Sequence, residues 1–166
     1  MSIRIERATV DSARFVARLA TFLLTIPVPF LLHQIKVDIS DVSRVYIHDS
    51  TIVMCHNILE SLKRSYATTN LRHPLNSMNF ALVLLCRPRM RYANTDEFTP
   101  IMCLAAAVWA AHKFEWDYHE KGAAFWTDLS NIDRGTLTRA ECTLLHGIHW
   151  DVWVKRDEGE DFRVID

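Results

Sequence analysis

The sequence predicts an all-α fold, and three observations carry that prediction. Glycine is scarce, at 4 of 166 residues, which disfavours folds built on many tight turns. Alanine, leucine and arginine are frequent, and these are strong helix formers. Apolar residues recur three and four positions apart through most of the chain, the spacing that lays a stripe along one face of a helix.

A first helix is expected over residues 9–25, with Val10, Phe15, Val16, Leu19, Phe22 and Leu23 roughly on one stripe. Thr9 or Asp11 suits its N-cap. Pro27 and Pro29 end it, because proline lacks the backbone donor and clashes with the preceding turn. Residues 37–48 read as extended or loop. The next helix, over 50–66, turns Ile52, Cys55, Leu59 and Leu62 to the core with Val53 beside them, and Asp49 or Ser50 suits its cap.

Residues 76–87 are apolar nearly all round (Met78, Phe80, Ala81, Leu82, Val83, Leu84, Leu85), so a buried helix is expected there, ended by Pro88. The following helix opens on Thr99 as cap and Pro100 at the first helical position, where a missing donor costs nothing. It runs to about Phe114. Its Ala105, Ala106, Ala107, Ala110 and Ala111 let neighbours approach closely, which places it at the centre of a bundle. A short helix over 122–129 follows. The last covers 136–149, with Leu137, Ala140, Leu144, Leu145 and Ile148 as its core face and capping-box spacing between Thr138 and Glu141. Residues 155–166 are too polar for a core element and read as an exposed tail.

A chain of this length forms one domain and buries about two thirds of its unfolded surface. Apolar residues make up 49%, a globular and not a disordered composition. The net charge of -1 weighs against general nucleic-acid binding, which draws on a basic surplus. Arg87, Arg89 and Arg91 read as a solvated loop. Cys55, Cys86, Cys103 and Cys142 lie inside apolar helical patterns without a C-x-x-C, so they read as reduced core residues of an intracellular protein. The longest apolar stretch, 22–32, is broken by two prolines and is shorter than the ~20 residues a membrane span needs. Glu6 and Asp11 stand where a signal peptide carries basic residues. No membrane association is expected, and nucleus or cytoplasm is the default location.

Two segments carry the functional reading. One is the small-residue run from Leu104 that closes on His112-Lys113-Phe114; the other begins Glu141-Cys142-Thr143-Leu144-Leu145 and ends His149-Trp150-Asp151. A helix of small residues ending in Lys-Phe, then an acidic residue before Leu-Leu and a Trp-Asp ending, resembles the cyclin box. The likeness runs from about residue 50 to 154 and is densest over 101–153, including Phe125-Trp126-Thr127-Asp128-Leu129. It implies a cyclin-like five-helix bundle around a central small-residue helix, with an extra N-terminal helix. Residues 1–48 become an N-terminal helix and linker packing on the box or its partner, 49–154 a single cyclin box, and 155–166 the tail.

The resemblance also implies a role. Cyclins bind a cyclin-dependent protein kinase and position its regulatory helix, in cell-cycle or transcription control, without catalysis or cofactor of their own. Lys113 and Glu141 match the cyclin Lys and Glu that lie together at the kinase interface and hydrogen-bond kinase backbone. Phe114 and Trp150 match apolar interface positions, and Ala110, one turn before Lys113, falls on the contact face. Two departures stand out. Cyclins of the cell cycle pair an Arg of the first box helix with an Asp of the second, where this chain has Cys86. The Met-Arg-Ala-Ile-Leu patch is also absent, so recruitment of Arg-x-Leu substrates is not expected. The single box and the Trp-Asp ending are closer to short Pho-type cyclins; a viral cyclin also fits.

Other readings are available for the same residues. Taken singly, a lysine at a helix end and a glutamate near a helix start are what the helix dipole favours. A cyclin-fold scaffold in transcription would need no kinase. Cys142, His146 and His149 recur at metal-ligand spacing, but no second cluster completes a site, so no metal is expected. His48-Asp49 matches the dipeptide of the metal-dependent HD phosphohydrolases, with His33 a poor earlier ligand and Asp49 better explained as a cap. Of Trp109, Trp116, Trp126, Trp150 and Trp153, Trp116 and Trp153 are the candidates for exposure.

Overall fold

A computed structural model describes residues 10–25, 39–67, 76–87, 97–115 and 123–152. All regular structure in them is helical. In chain order the helices are α1 (Val10–Thr25), α2 (Ile39–Ser43), α3 (Asp49–Ala67), α4 (Asn76–Cys86), α5 (Pro100–Glu115), α6 (Ala123–Ser130) and α7 (Arg134–Gly147). None of the described helices is long and apolar enough to cross a membrane. The expected tail, with Trp116, Trp153, His33, Arg89 and Arg91, lies outside the described residues.

Small side chains explain the architecture. Every residue from Cys103 to Ala111 is buried, so α5 has no solvent-facing side over its middle turns. Helix axes pack 8–10 Å apart depending on the side chains between them, and methyl groups permit the short end of that range. Accordingly α5 packs against α4, α7 and α1, and also touches α3 and α6. Its start is as read: Thr99 Oγ1 accepts from the Met102 N–H at 3.4 Å, and the Thr99 carbonyl accepts from Cys103 at 3.1 Å.

The N-terminal helix belongs to the same core. It packs on α3, α4, α5 and α2, burying Ala13, Val16, Ala17, Leu19, Ala20 and Leu23. Its alanines share the contact face with Val16, Leu19 and Leu23, whereas Val10 is exposed and Phe15 and Phe22 are only partly buried. Asp11 lies within the first turn and meets Arg14 Nη1 at 3.2 Å. Residues 39–43, expected to be irregular, form the single turn α2. Val42 docks it fully buried, and the Ser43 hydroxyl closes it on the Ser40 carbonyl at 2.7 Å. A five-residue turn is too short for a periodic signal.

The remaining helices hold two surprises at their ends. The His48 carbonyl accepts from Thr51 and Ile52 at 3.0 and 3.3 Å, so His48 is the N-cap of α3 and Asp49 stands inside the first turn, not before it. There its carboxylate faces the positive end of the helix dipole. Val53 is exposed, while Ile58 joins Cys55, Leu59 and Leu62 in the core. Helix α7 begins two residues before the expected start: Asp133 is its cap, accepting from the Thr136 N–H at 2.9 Å. Thr138 and Glu141 are therefore interior residues, and the capping box they suggested does not form.

Candidate functional site

Lys113 and Glu141 meet. Lys113 Nζ lies 2.7 Å from both Glu141 Oε1 and Oε2, a two-oxygen contact between residues 28 positions apart. Lys113 is in the last turn of α5, where the carboxyl end of the helix dipole favours a cation. Glu141 is not in the first turn of α7 but in its middle, beside Ala140 and Leu144 in the buried row. The dipole therefore accounts for the lysine and not for the glutamate.

Burial is unequal across the pair: the Lys113 side chain keeps 35% of its accessible surface and that of Glu141 only 7%. A carboxylate at that depth requires its cation, since an isolated buried charge is far too costly. Trp109, one turn back on α5, supports the ammonium from below, its ring centroid 3.7 Å from Nζ. An ammonium has three protons. The Glu141 oxygens take the nitrogen on one side and the Trp109 ring on another, and the Lys113 side chain keeps part of its surface open to solvent. The pair thus ties α5 to α7 with the lysine on its more exposed side.

Apolar surface accompanies it. Phe114 is 52% exposed and Trp150 is 55% exposed, large values for rings of this size. Phe114 follows Lys113 directly, so it projects about 100° further round the α5 axis. Trp150 stands in a turn beyond α7, with its ring edge-on to His146 at 5.3 Å between centroids. That turn is unusual. His149 and Trp150 have φ of 54° and 60°, two successive left-handed residues without a glycine. Such residues cost about 1–3 kcal/mol each. The Trp150 N–H repays part of this by capping Leu145 at 2.8 Å. The helix ends at Gly147, two residues short of the expected His149.

Ala110 does not fit the contact face. It is fully buried, its methyl group taken up by the core where α5 meets its neighbours, so its side chain offers a partner no surface. Cys142 is corrected in the opposite sense. It is exposed, because it follows Glu141 and so turns away from the buried row of α7; Cys86 is half-buried with its thiol on the Leu82 carbonyl at 3.1 Å. Burial pushes the Cys55 thiol up to about 12 and the Cys103 thiol up to about 11.

The metal readings find no site among the described residues. His146 Nδ1 pairs with the Cys142 carbonyl at 2.8 Å instead of gathering with the Cys142 thiol and His149 around an ion. His48 is exposed and packs edge-on against Tyr46. Arg87, read as part of a loop patch, is instead engaged: Nη1 donates to the Asp151 carbonyl at 2.7 Å.

Trp109 and Arg87 are the two participants that sequence reasoning missed. Trp109 had a signal, the i to i+4 spacing to Lys113 that stacks side chains on one helix face. Arg87 had none, being 64 positions from Asp151. No protein-family model, curated protein or solved structure matches the chain.

Proposed function

We propose that this chain is a cyclin-like regulatory subunit that binds a cyclin-dependent protein kinase through the edge built from Lys113 and Glu141. The observation that supports the reading is the two-oxygen contact at 2.7 Å between a lysine and a glutamate on separate helices, the residue types that the cyclin box brings together. In this reading Lys113, the more exposed of the two, donates to a main-chain carbonyl of the kinase, and Glu141 accepts from a main-chain N–H. Both groups are held before the partner arrives, so little side-chain entropy is lost on docking. Phe114 and Trp150 supply the apolar area, the kind of exposed aromatic that carries most interface energy.

The regulatory step follows from rigidity. A kinase is active when its regulatory helix swings inward and a glutamate of that helix meets the ATP-binding lysine. A bundle whose central helix is packed on every side deforms little, so it binds the inward state better and shifts the population toward it. The chain performs no chemistry in this scheme.

A second reading has its own support. The depth of Glu141 suits an internal staple between α5 and α7 with no partner at all. Replacing both residues separates the two. Lys113→Ala with Glu141→Ala removes both charges together and leaves no unpaired carboxylate behind. Helicity should survive and kinase co-purification should be lost. Undiminished kinase recovery from the double variant supports the staple and refutes the docking edge.

A further inference from the structure

The turn that carries Trp150 is held both by α7, through the His149 and Trp150 N–H groups on the His146 and Leu145 carbonyls at 3.0 and 2.8 Å, and from outside it. Left-handed backbone at non-glycine residues persists only where the surroundings over-determine it, and here two such residues follow one another, His149 and Trp150. On the inner side Ile148 is buried and donates to the Leu144 carbonyl at 3.0 Å. On the outer side the chain re-enters at Val152, which packs partly buried against the core and donates to the Trp150 carbonyl at 3.0 Å. Between them lies Asp151. Its carbonyl accepts from Arg87 Nη1 at 2.7 Å, and its carboxylate lies 3.6 Å from the same nitrogen.

Arg87 is well placed for such a grip. It follows directly on Cys86 at the end of the buried helix α4, and its own N–H donates to the Leu84 carbonyl at 3.2 Å, so its backbone is fixed. Its side chain is only 20% exposed. A guanidinium is planar, always charged and presents several donors in a fixed fork, which suits a main-chain oxygen flanked by a carboxylate.

We propose that Arg87 is a positioning residue for Trp150: by gripping the main chain at Asp151 it keeps the His149–Trp150 pair in its left-handed form and the indole standing out beside His146. Arg87 need touch no partner for this. The use of the presented indole in kinase docking rests on the function proposed above; the positioning itself does not.

The test reads the indole directly. The full chain is labelled with 5-fluorotryptophan and its fluorine NMR spectrum recorded, the Trp150 line being assigned by Trp150→Phe. In Arg87→Ala the Trp150 line should move toward the position of the free amino acid and narrow, while the lines of buried Trp109 and Trp126 stay. Asp151→Asn keeps the main-chain carbonyl and should leave the Trp150 line in place. Adding His149→Gly to Arg87→Ala relieves one left-handed residue and should bring the line back, a rescue that a general weakening of α4 would not permit.

A Trp150 line that stays in place in Arg87→Ala overturns the proposal, as does failure of the glycine to restore it. Should Arg87→Ala not fold, Arg87→Gln decides on the same criterion, since its shorter amide falls short of Asp151. Kinase capture is scored separately. A moved line with undiminished capture upholds the positioning and counts against Trp150 in the kinase reading; an unmoved line with capture lost in Trp150→Ala does the reverse.

Discussion

Replacing Lys113 by methionine should destabilise the protein far more than replacing Glu141 by leucine. The difference follows from the depths of the two groups. Without Lys113 the Glu141 carboxylate stays at 7% exposure with its counter-charge gone. Breaking a buried pair from one side costs about 3–5 kcal/mol. The lower figure applies, because 35% exposure of the lysine side chain means water already reaches the site. For a chain of this size about 3 kcal/mol lowers Tm by roughly 6–12 °C. Without Glu141 the ammonium remains over the Trp109 ring and reaches solvent, so the loss should be about 1 kcal/mol. The combined Lys113→Met and Glu141→Leu variant buries no unpaired charge and should lie within about 1 kcal/mol of wild type. Urea denaturation followed by circular dichroism, with the m-value checked for constancy, measures all four proteins. Single substitutions that each cost under about 0.5 kcal/mol, or that simply add in the double, would mean a solvent-exposed pair and refute the argument.

Three further outcomes follow from the same structure. Ala107→Leu forces a larger side chain into a fully buried position of α5 and should cost at least about 1–3 kcal/mol by thermal unfolding, with no gain in helicity. In the native protein a thiol reagent should modify exposed Cys142 first, with Cys55 and Cys103 reacting only on unfolding; because their folded values of about 12 and 11 lie above the unfolded 9.0, the stability they contribute is complete below pH 9 and is lost as pH climbs toward those values. Asp133 is held below its ordinary value by hydrogen bonds from Thr136, first its side chain and then its N–H, so its contribution is present above the unfolded 3.8 and fades as pH falls through the folded value; Asp133→Ala should lower Tm at neutral pH and Asp133→Asn should largely keep it.

The parts of this fold that could be read from sequence are those with local causes. The start of α5 is written in Thr99 and Pro100, and its central position in a run of alanines; both are found as expected. The buried α4 was plain from its all-round apolar surface. Amphipathic stripes were less exact. Val16, Leu19 and Leu23 of the α1 stripe are buried as expected, but Val10 and Val53 are exposed, and Ala13, Ala17 and Ala20 share the contact, because closely packed helices also bury small side chains that a stripe of large residues passes over.

The site divides in the same way. That Lys113 and Glu141 meet came from the resemblance of their surroundings to a cyclin box; nothing local links residues 28 apart. The depth of Glu141 had a sequence signal that its charge masked: with Leu137, Ala140 and Leu144 it occupies the i, i+3, i+4, i+7 row that faces the core of α7. Ala110 was assigned outward by its proximity to Lys113, but the interval of three residues falls on the inner side of a helix that is buried nearly all round. The turn at Trp150 was hidden altogether: Gly147 marks a helix stop, yet the left-handed positions fall on His149 and Trp150, where no glycine signals them and one of the ties, from Arg87, comes from 64 positions away.

Cross-linking from the docking edge shows which protein meets Phe114. With a photoreactive benzoylphenylalanine in place of Phe114, the protein is irradiated in extract of its source cells and the captured peptides are sequenced. Adducts on the regulatory helix of a protein kinase are the expected product, and they should vanish when Lys113 and Glu141 are both replaced. Adducts confined to proteins other than kinases, or unchanged by that double replacement, would contradict the proposed function.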